Sequence, residues 1–257
     1  MRDKILFSPA SIFQAHSKSA LLSLSEMLSP SDYCALVRET FRSHGNPEIA
    51  QGQMAYMRHQ FEYFGLKMPA WTSLTRLIHA ENGIPEKEDL KKLIRLCFQD
   101  EHREMHYFAL QMLEKSLKKQ PSECIEFLEE LILTRSWWDT VDWINKLVGL
   151  HFRRFPELIK PVTGRWMASG NFWLQRVCLI FQLNYKDKTD SALLFDYVQR
   201  VARYKEFFLQ KGAGWALRQY AKTNPEAVIE FVGKTQLAPL TRREALKNVA
   251  RTSVRHT

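Results

Sequence analysis

The chain has 257 residues, with 37 Lys and Arg against 28 Asp and Glu, a net charge of +9. That length provides ample core for one large domain, and the basic balance favours a polyanionic partner such as nucleic acid or an anionic membrane surface. No apolar run approaches the ~20 residues of a membrane span, and Cys34, Cys97, Cys124 and Cys178 are too scattered for a disulfide framework, so buried free thiols in a reducing cytoplasm are expected.

Residues 1–28 are serine-rich, with Asp3 and Glu26 as their carboxylates and a leucine cluster at Leu21, Leu22, Leu24 and Leu28. They are expected to form an N-terminal extension, either a weak helix or a loose tail, ahead of a single domain over residues 29–257. From residue 31 the pattern is helical throughout, with no period-2 strand. Proline followed at once or nearly so by an acid marks helix starts at Pro47-Glu48, Pro85-Glu86, Pro121-Ser122-Glu123, Pro156-Glu157 and Pro225-Glu226. Asp190-Ser191 supplies a start midway through the last, double-length interval. A recurrence of this length is the signature of stacked helical pairs. The spacing therefore predicts an all-α solenoid.

The second helix of each pair repeats more sharply. Trp138, Trp173 and Phe208 are evenly spaced, each preceded by another aromatic, Trp137, Phe172 or Phe207. Ser136, Asn171 and Thr241 occupy the matching N-cap position, with Glu206 the exception, and Thr241 with Glu244 reads as a capping box. Arg176 and Lys211 follow three residues after the aromatic, and Lys247 continues the column. In a solenoid, equivalent positions line one surface, so these cations predict a stripe suited to regularly spaced phosphates. Long cations covering an exposed face while their stems pack inward would give the same column.

Ser136-Trp137-Trp138-Asp139-Thr140-Val141-Asp142 is the most informative stretch. Trp138 and Asp142 stand at i and i+4, which puts an indole and a carboxylate on one helix face. Trp215 and Arg218 share another face, just after Gly212 and Gly214 in mid-helix. Glycine weakens a helix, so close approach of a neighbouring backbone or a ligand strand is expected there. His102-Arg103-Glu104-Met105-His106 places two histidines at i and i+4, but Arg103 stands where a zinc protease needs glutamate. It is read as an exposed charged helix. No phosphate-loop or dinucleotide glycine pattern occurs, and no metal site is expected.

Residues 31–255 resemble the bacterial DNA alkylation-repair glycosylases of the AlkD type. The resemblance is carried by SWWDTVD at 136–142, NFWLQR at 171–176, GWALRQY at 214–220, LAPLTRREALK at 237–247 and MAYMRHQFEYF at 54–64. Pro69 is followed by Ala70, Trp71 and Thr72, where that family often has a basic residue. The resemblance implies HEAT-like repeats in a right-handed superhelix with a concave basic face. It implies cleavage of the N-glycosidic bond of N3- or N7-alkylated purines in double-stranded DNA, by a monomer with no cofactor and no obligate protein partner. Asp142, Trp138 and Trp215 map onto the catalytic positions, and Arg176 and Tyr56 onto DNA contacts. Lys211, Arg218, Arg243 and Lys247 join the DNA-binding set through the basic stripe. The competing expectation is a non-catalytic solenoid that binds distorted DNA, which would keep the stripe but could dispense with Asp142 and Trp215.

Overall fold

The computed structural model describes residues 28–247 and residue 249. Apart from Leu28, the expected N-terminal extension lies outside the described residues. Among the described residues there are thirteen α-helices and no strand, only an isolated bridge between Glu62 and His102. The chain opens with α1 (Pro30–Ser43), α2 (Pro47–Tyr56) and α3 (Met68–Asn82). Five pairs follow: α4 (Lys87–Gln99) with α5 (Arg103–Ser116), α6 (Cys124–Leu133) with α7 (Trp138–Arg154), and α8 (Ile159–Ala168) with α9 (Phe172–Ile180). The last two are α10 (Ser191–Val201) with α11 (Phe207–Tyr220) and α12 (Pro225–Lys234) with α13 (Pro239–Leu246).

The second helices form a row in chain order, with α5 against α7, α7 against α9, α9 against α11 and α11 against α13. Each first helix packs on its own partner. This is the α-solenoid that the repeat spacing predicts. The main hydrophobic core runs from Tyr33 in α1 to Ala245 in α13, a small second cluster gathers Ala50, Met57 and Tyr63, and the four cysteines are buried free thiols. No helix among the described residues is long and apolar enough to cross a membrane.

Helix starts follow the expected chemistry in part. Pro47 and Pro225 open α2 and α12, capped by Asn46 and Asn224, whose side chains accept from the N–H groups of Ile49 and Ala227. Asp190 caps α10 and Asn171 caps α9. Pro85 and Pro121 stand just ahead of their helices, and Pro156 opens a 3-10 turn that runs into α8. Glu206, the exception in the cap column, caps α11 through its carboxylate.

Two expected caps are corrected. Ser136 does not cap α7: its hydroxyl donates to the Ile132 carbonyl at 2.5 Å, an orphan acceptor left by the end of α6. Helix α7 starts behind Trp137 with no side-chain cap. Thr241 and Glu244 form no capping box, because α13 already starts at Pro239. The Thr241 hydroxyl donates instead to the Gln210 carbonyl on α11 at 3.0 Å, and Glu244 serves the site described next.

Candidate functional site

The row of second helices carries a cleft of about 440 Å³. Helix α7 contributes Trp138 and Asp142, α9 contributes Arg176, and α11 contributes Phe207, Phe208, Lys211, Trp215 and Arg218. Tyr56 and Arg58 reach it from the end of α2. The helical spacing thus brings Trp138 and Asp142 to one surface as expected, and Trp215 joins them from two helices away. Trp137 and Phe208, which also line the cleft, pack ring against ring with Trp173 behind them, with centroids 4.9–6.2 Å apart. The aromatic column is therefore largely a seam joining the starts of α7, α9 and α11, and only some of its rings face the cleft.

The two Asp142 oxygens accept from Nε and Nη2 of Arg176, each at 2.9 Å. This fork matches carboxylate geometry and is the strong form of charge-assisted bond. Burial is the largest influence on the Asp142 carboxyl and raises its pKa, while Arg176 pulls the other way and favours the ionised form. Asp142 keeps 22% side-chain exposure, whereas Arg176 keeps only 5%. The Arg176 Nη1 donates to the Phe208 carbonyl at 2.7 Å. A Cβ at position 212 would lie 3.1 Å from that nitrogen, so Gly212 leaves room for it. The sequence expects Arg176 to contact DNA; here its guanidinium lines the cleft but is buried and bonded to Asp142 and to α11.

The basic stripe is also partly neutralised. Lys211 donates to Glu244 at 2.8 Å, and Arg218 binds the other oxygen of the same carboxylate. These two cations hold the Glu244 carboxyl below its ordinary range. Glu244 can sit there because α13 lies very close to α11. A Cβ on Gly214 would be 2.5 Å from the Glu244 Cβ and 2.9 Å from the Thr241 carbonyl oxygen. The helical glycine at 214 thus answers to neighbour packing, one of the two causes expected. Arg243 and Lys247 are exposed on and just after α13, outside the lining of the cleft.

On the α2 side, Tyr56 is 73% exposed, and its ring meets the Trp138 ring edge-on at 5.8 Å. Helix α2 closes with His59 N–H donating to the Met54 carbonyl and Arg58 N–H to the Ala55 carbonyl. These are the two bonds of a Schellman motif.

The comparisons accord with this architecture. The family model described as DNA alkylation repair enzyme matches residues 37–249. The chain belongs to this DNA alkylation repair enzyme family. Membership gives it a role in the repair of alkylation damage to DNA. A solved structure titled a predicted DNA alkylation repair enzyme from Enterococcus faecalis is 33% identical and superposes with a TM-score of 0.76, covering 80% of this chain and 97% of that one. No curated protein matches the chain.

Within this family fold, the sequence missed a polar centre beneath the start of α7. Residues 102–106 do not form an exposed charged helix: Arg103, Glu104 and His106 are all buried. Arg103 donates to both oxygens of Asp139, at 2.9 and 2.6 Å, to the Thr140 hydroxyl and to the Arg135 carbonyl. Glu104 accepts from the N–H groups of Phe64, Gly65 and Leu66. His106 is pushed down to about 3, first by burial and then by the Arg103 charge. Every charge there has a partner that is distant in sequence, which is why local patterning did not find it. Trp71, in the segment that departs from the family pattern, is core and donates from its indole to the Glu104 carbonyl.

Proposed function

We propose that the chain is a DNA glycosylase that releases N3- and N7-alkylated purines from double-stranded DNA. The observation that carries this reading is the Asp142 carboxylate, held against burial by Arg176 in a cleft that also presents the Trp138 and Trp215 indoles. Alkylation at N3 or N7 makes the purine cationic and a good leaving group. When the C1′–N bond breaks, its electron pair goes to the base and neutralises it. The positive charge passes to the sugar as an oxocarbenium-like ion. Water then adds at C1′ and loses a proton.

This reaction needs little acid catalysis at the base. It needs negative charge and π-faces beside the sugar. Asp142 supplies the first, stabilising the developing cation and orienting the water. Trp138 and Trp215 supply the second through cation–π attraction. Lys211, Arg218, Arg243, Lys247 and Tyr56 serve the DNA backbone, which positions the duplex without reading sequence. The site is an open cleft and not an enclosed pocket, which favours tolerance of bulky adducts. The test is incubation of the full chain with methylated duplex DNA and chromatography for free 3-methyladenine and 7-methylguanine. Release supports the reading. Tight binding without release leaves the non-catalytic alternative in its place.

A further inference from the structure

Four cations line the cleft: Arg58, Arg176, Lys211 and Arg218. Three are committed, Arg176 to Asp142 and both Lys211 and Arg218 to Glu244. Arg58 is exposed, and no carboxylate among the described residues pairs with it. It is also the one of the four with an unusual backbone, φ 56°, and His59 after it repeats that value. In the Schellman closure of α2, Arg58 fills the left-handed position that glycine usually takes. Two consecutive side chains in this region are strained, and strain of this kind collects at functional sites. The turn follows directly on Tyr56, whose ring meets Trp138. It is therefore what brings the Arg58 guanidinium to the rim of the cleft.

We infer that Arg58 is a backbone-phosphate contact on the α2 side of the cleft, and that the left-handed turn is kept in order to present it. The inference rests on the cleft being a duplex-DNA site. The chemistry it names is a phosphodiester oxygen, met by a guanidinium with no internal partner to give up. Lys211 and Arg218, by contrast, must share their charge with Glu244.

The test uses the full chain with a fluorescein-labelled duplex, titrated by anisotropy over a series of KCl concentrations, for wild type, Arg58→Gly and Arg58→Lys. Thermal melts of the free proteins run alongside. Glycine relieves the left-handed position, so Arg58→Gly should melt above wild type. It should also lose one phosphate contact, lowering the log–log salt slope by about 0.9. Arg58→Lys should keep the wild-type slope. An Arg58→Gly variant with an unchanged slope, or one that melts no higher than wild type, overturns the inference while leaving the glycosylase reading in place. Wild-type binding that is flat in salt removes the duplex-DNA reading and this inference with it.

Discussion

Replacing Asp142 with Asn tests the electrostatic core of the site, and the ion pair with Arg176 fixes what should follow. A sugar cation about 4 Å from the carboxylate gains roughly 4 kcal/mol at an effective dielectric constant of about 20. The Arg176 guanidinium, roughly 4 Å farther away, opposes this by about 2 kcal/mol. Wild type thus keeps a net gain of about 2 kcal/mol. Asp142→Asn removes the attraction and leaves the repulsion, a loss of about 4 kcal/mol or roughly a thousandfold in rate. Asn keeps the volume and one acceptor for Arg176. The double variant Asp142→Asn with Arg176→Gln removes both terms and should be slowed by only about thirtyfold. The measurement is single-turnover release of 7-methylguanine with protein in excess, with melting curves to confirm folding. A single variant within threefold of wild type refutes Asp142 as the stabilising group. A folded double variant slower than the single refutes the opposing role given to Arg176.

Three further outcomes follow from the same geometry. Gly214→Ala forces a Cβ into Glu244 and the Thr241 carbonyl, so it should destabilise the protein by about 1–3 kcal/mol and lower the melting temperature; an unchanged melt would mean that α11 and α13 separate freely. Burial raises the Asp142 carboxyl, and on the proposed reading the ionised form is the active one, so the acid limb of the excision rate should lie above the ordinary aspartate value of about 3.9; a limb at or below that value would contradict the environment described. Glu244 is depressed by Lys211 and Arg218, so its stabilising contribution is present above the unfolded glutamate pKa and lost as pH falls through the lower folded value. The gap in melting temperature between wild type and Glu244→Gln, large at pH 7, should close on acidification in that window.

The repeat spacing and the aromatic column made the helical pairs legible, and Trp138 with Asp142 was legible because both lie on one helix at i and i+4. Pairings across the solenoid were not. Asp139 and Asp142 are acids at the start of the same helix, yet Asp139 turns inward to the buried Arg103 while Asp142 faces the cleft. The packing of α5 against α7 decides which acid is structural, and no local pattern encodes that. The ion pairing of the cation column was hidden for a related reason. Its members were identified by equivalent positions, while the carboxylates that engage them, Asp142 and Glu244, come from neighbouring repeats. Arg103 and Glu104 looked solvated because their partners, Asp139 and the backbone of residues 64–66, lie more than thirty residues away.

The same ion pairs bear on which glycosylase chemistry the cleft can support. A glycosylase that also cuts the strand uses a neutral amine to attack C1′ and form an imine. The lysine lining this cleft is Lys211, and its ammonium is held by Glu244 at 2.8 Å. An ammonium engaged in this way offers no free lone pair for attack. Asp142 is equally ill suited to covalent catalysis, since both its oxygens accept from a guanidinium that draws off their negative charge. On the proposed glycosylase reading, water is the nucleophile, with Asp142 acting through its field and through the lone pairs that Arg176 does not use. The expected product is an intact strand bearing an abasic site. Borohydride added during turnover should trap no protein–DNA adduct, and the strand should break only on later treatment with alkali. A borohydride-stable adduct lost in Lys211→Gln would show that Lys211 leaves Glu244 when DNA binds, and would replace the hydrolytic mechanism with an amine-based one.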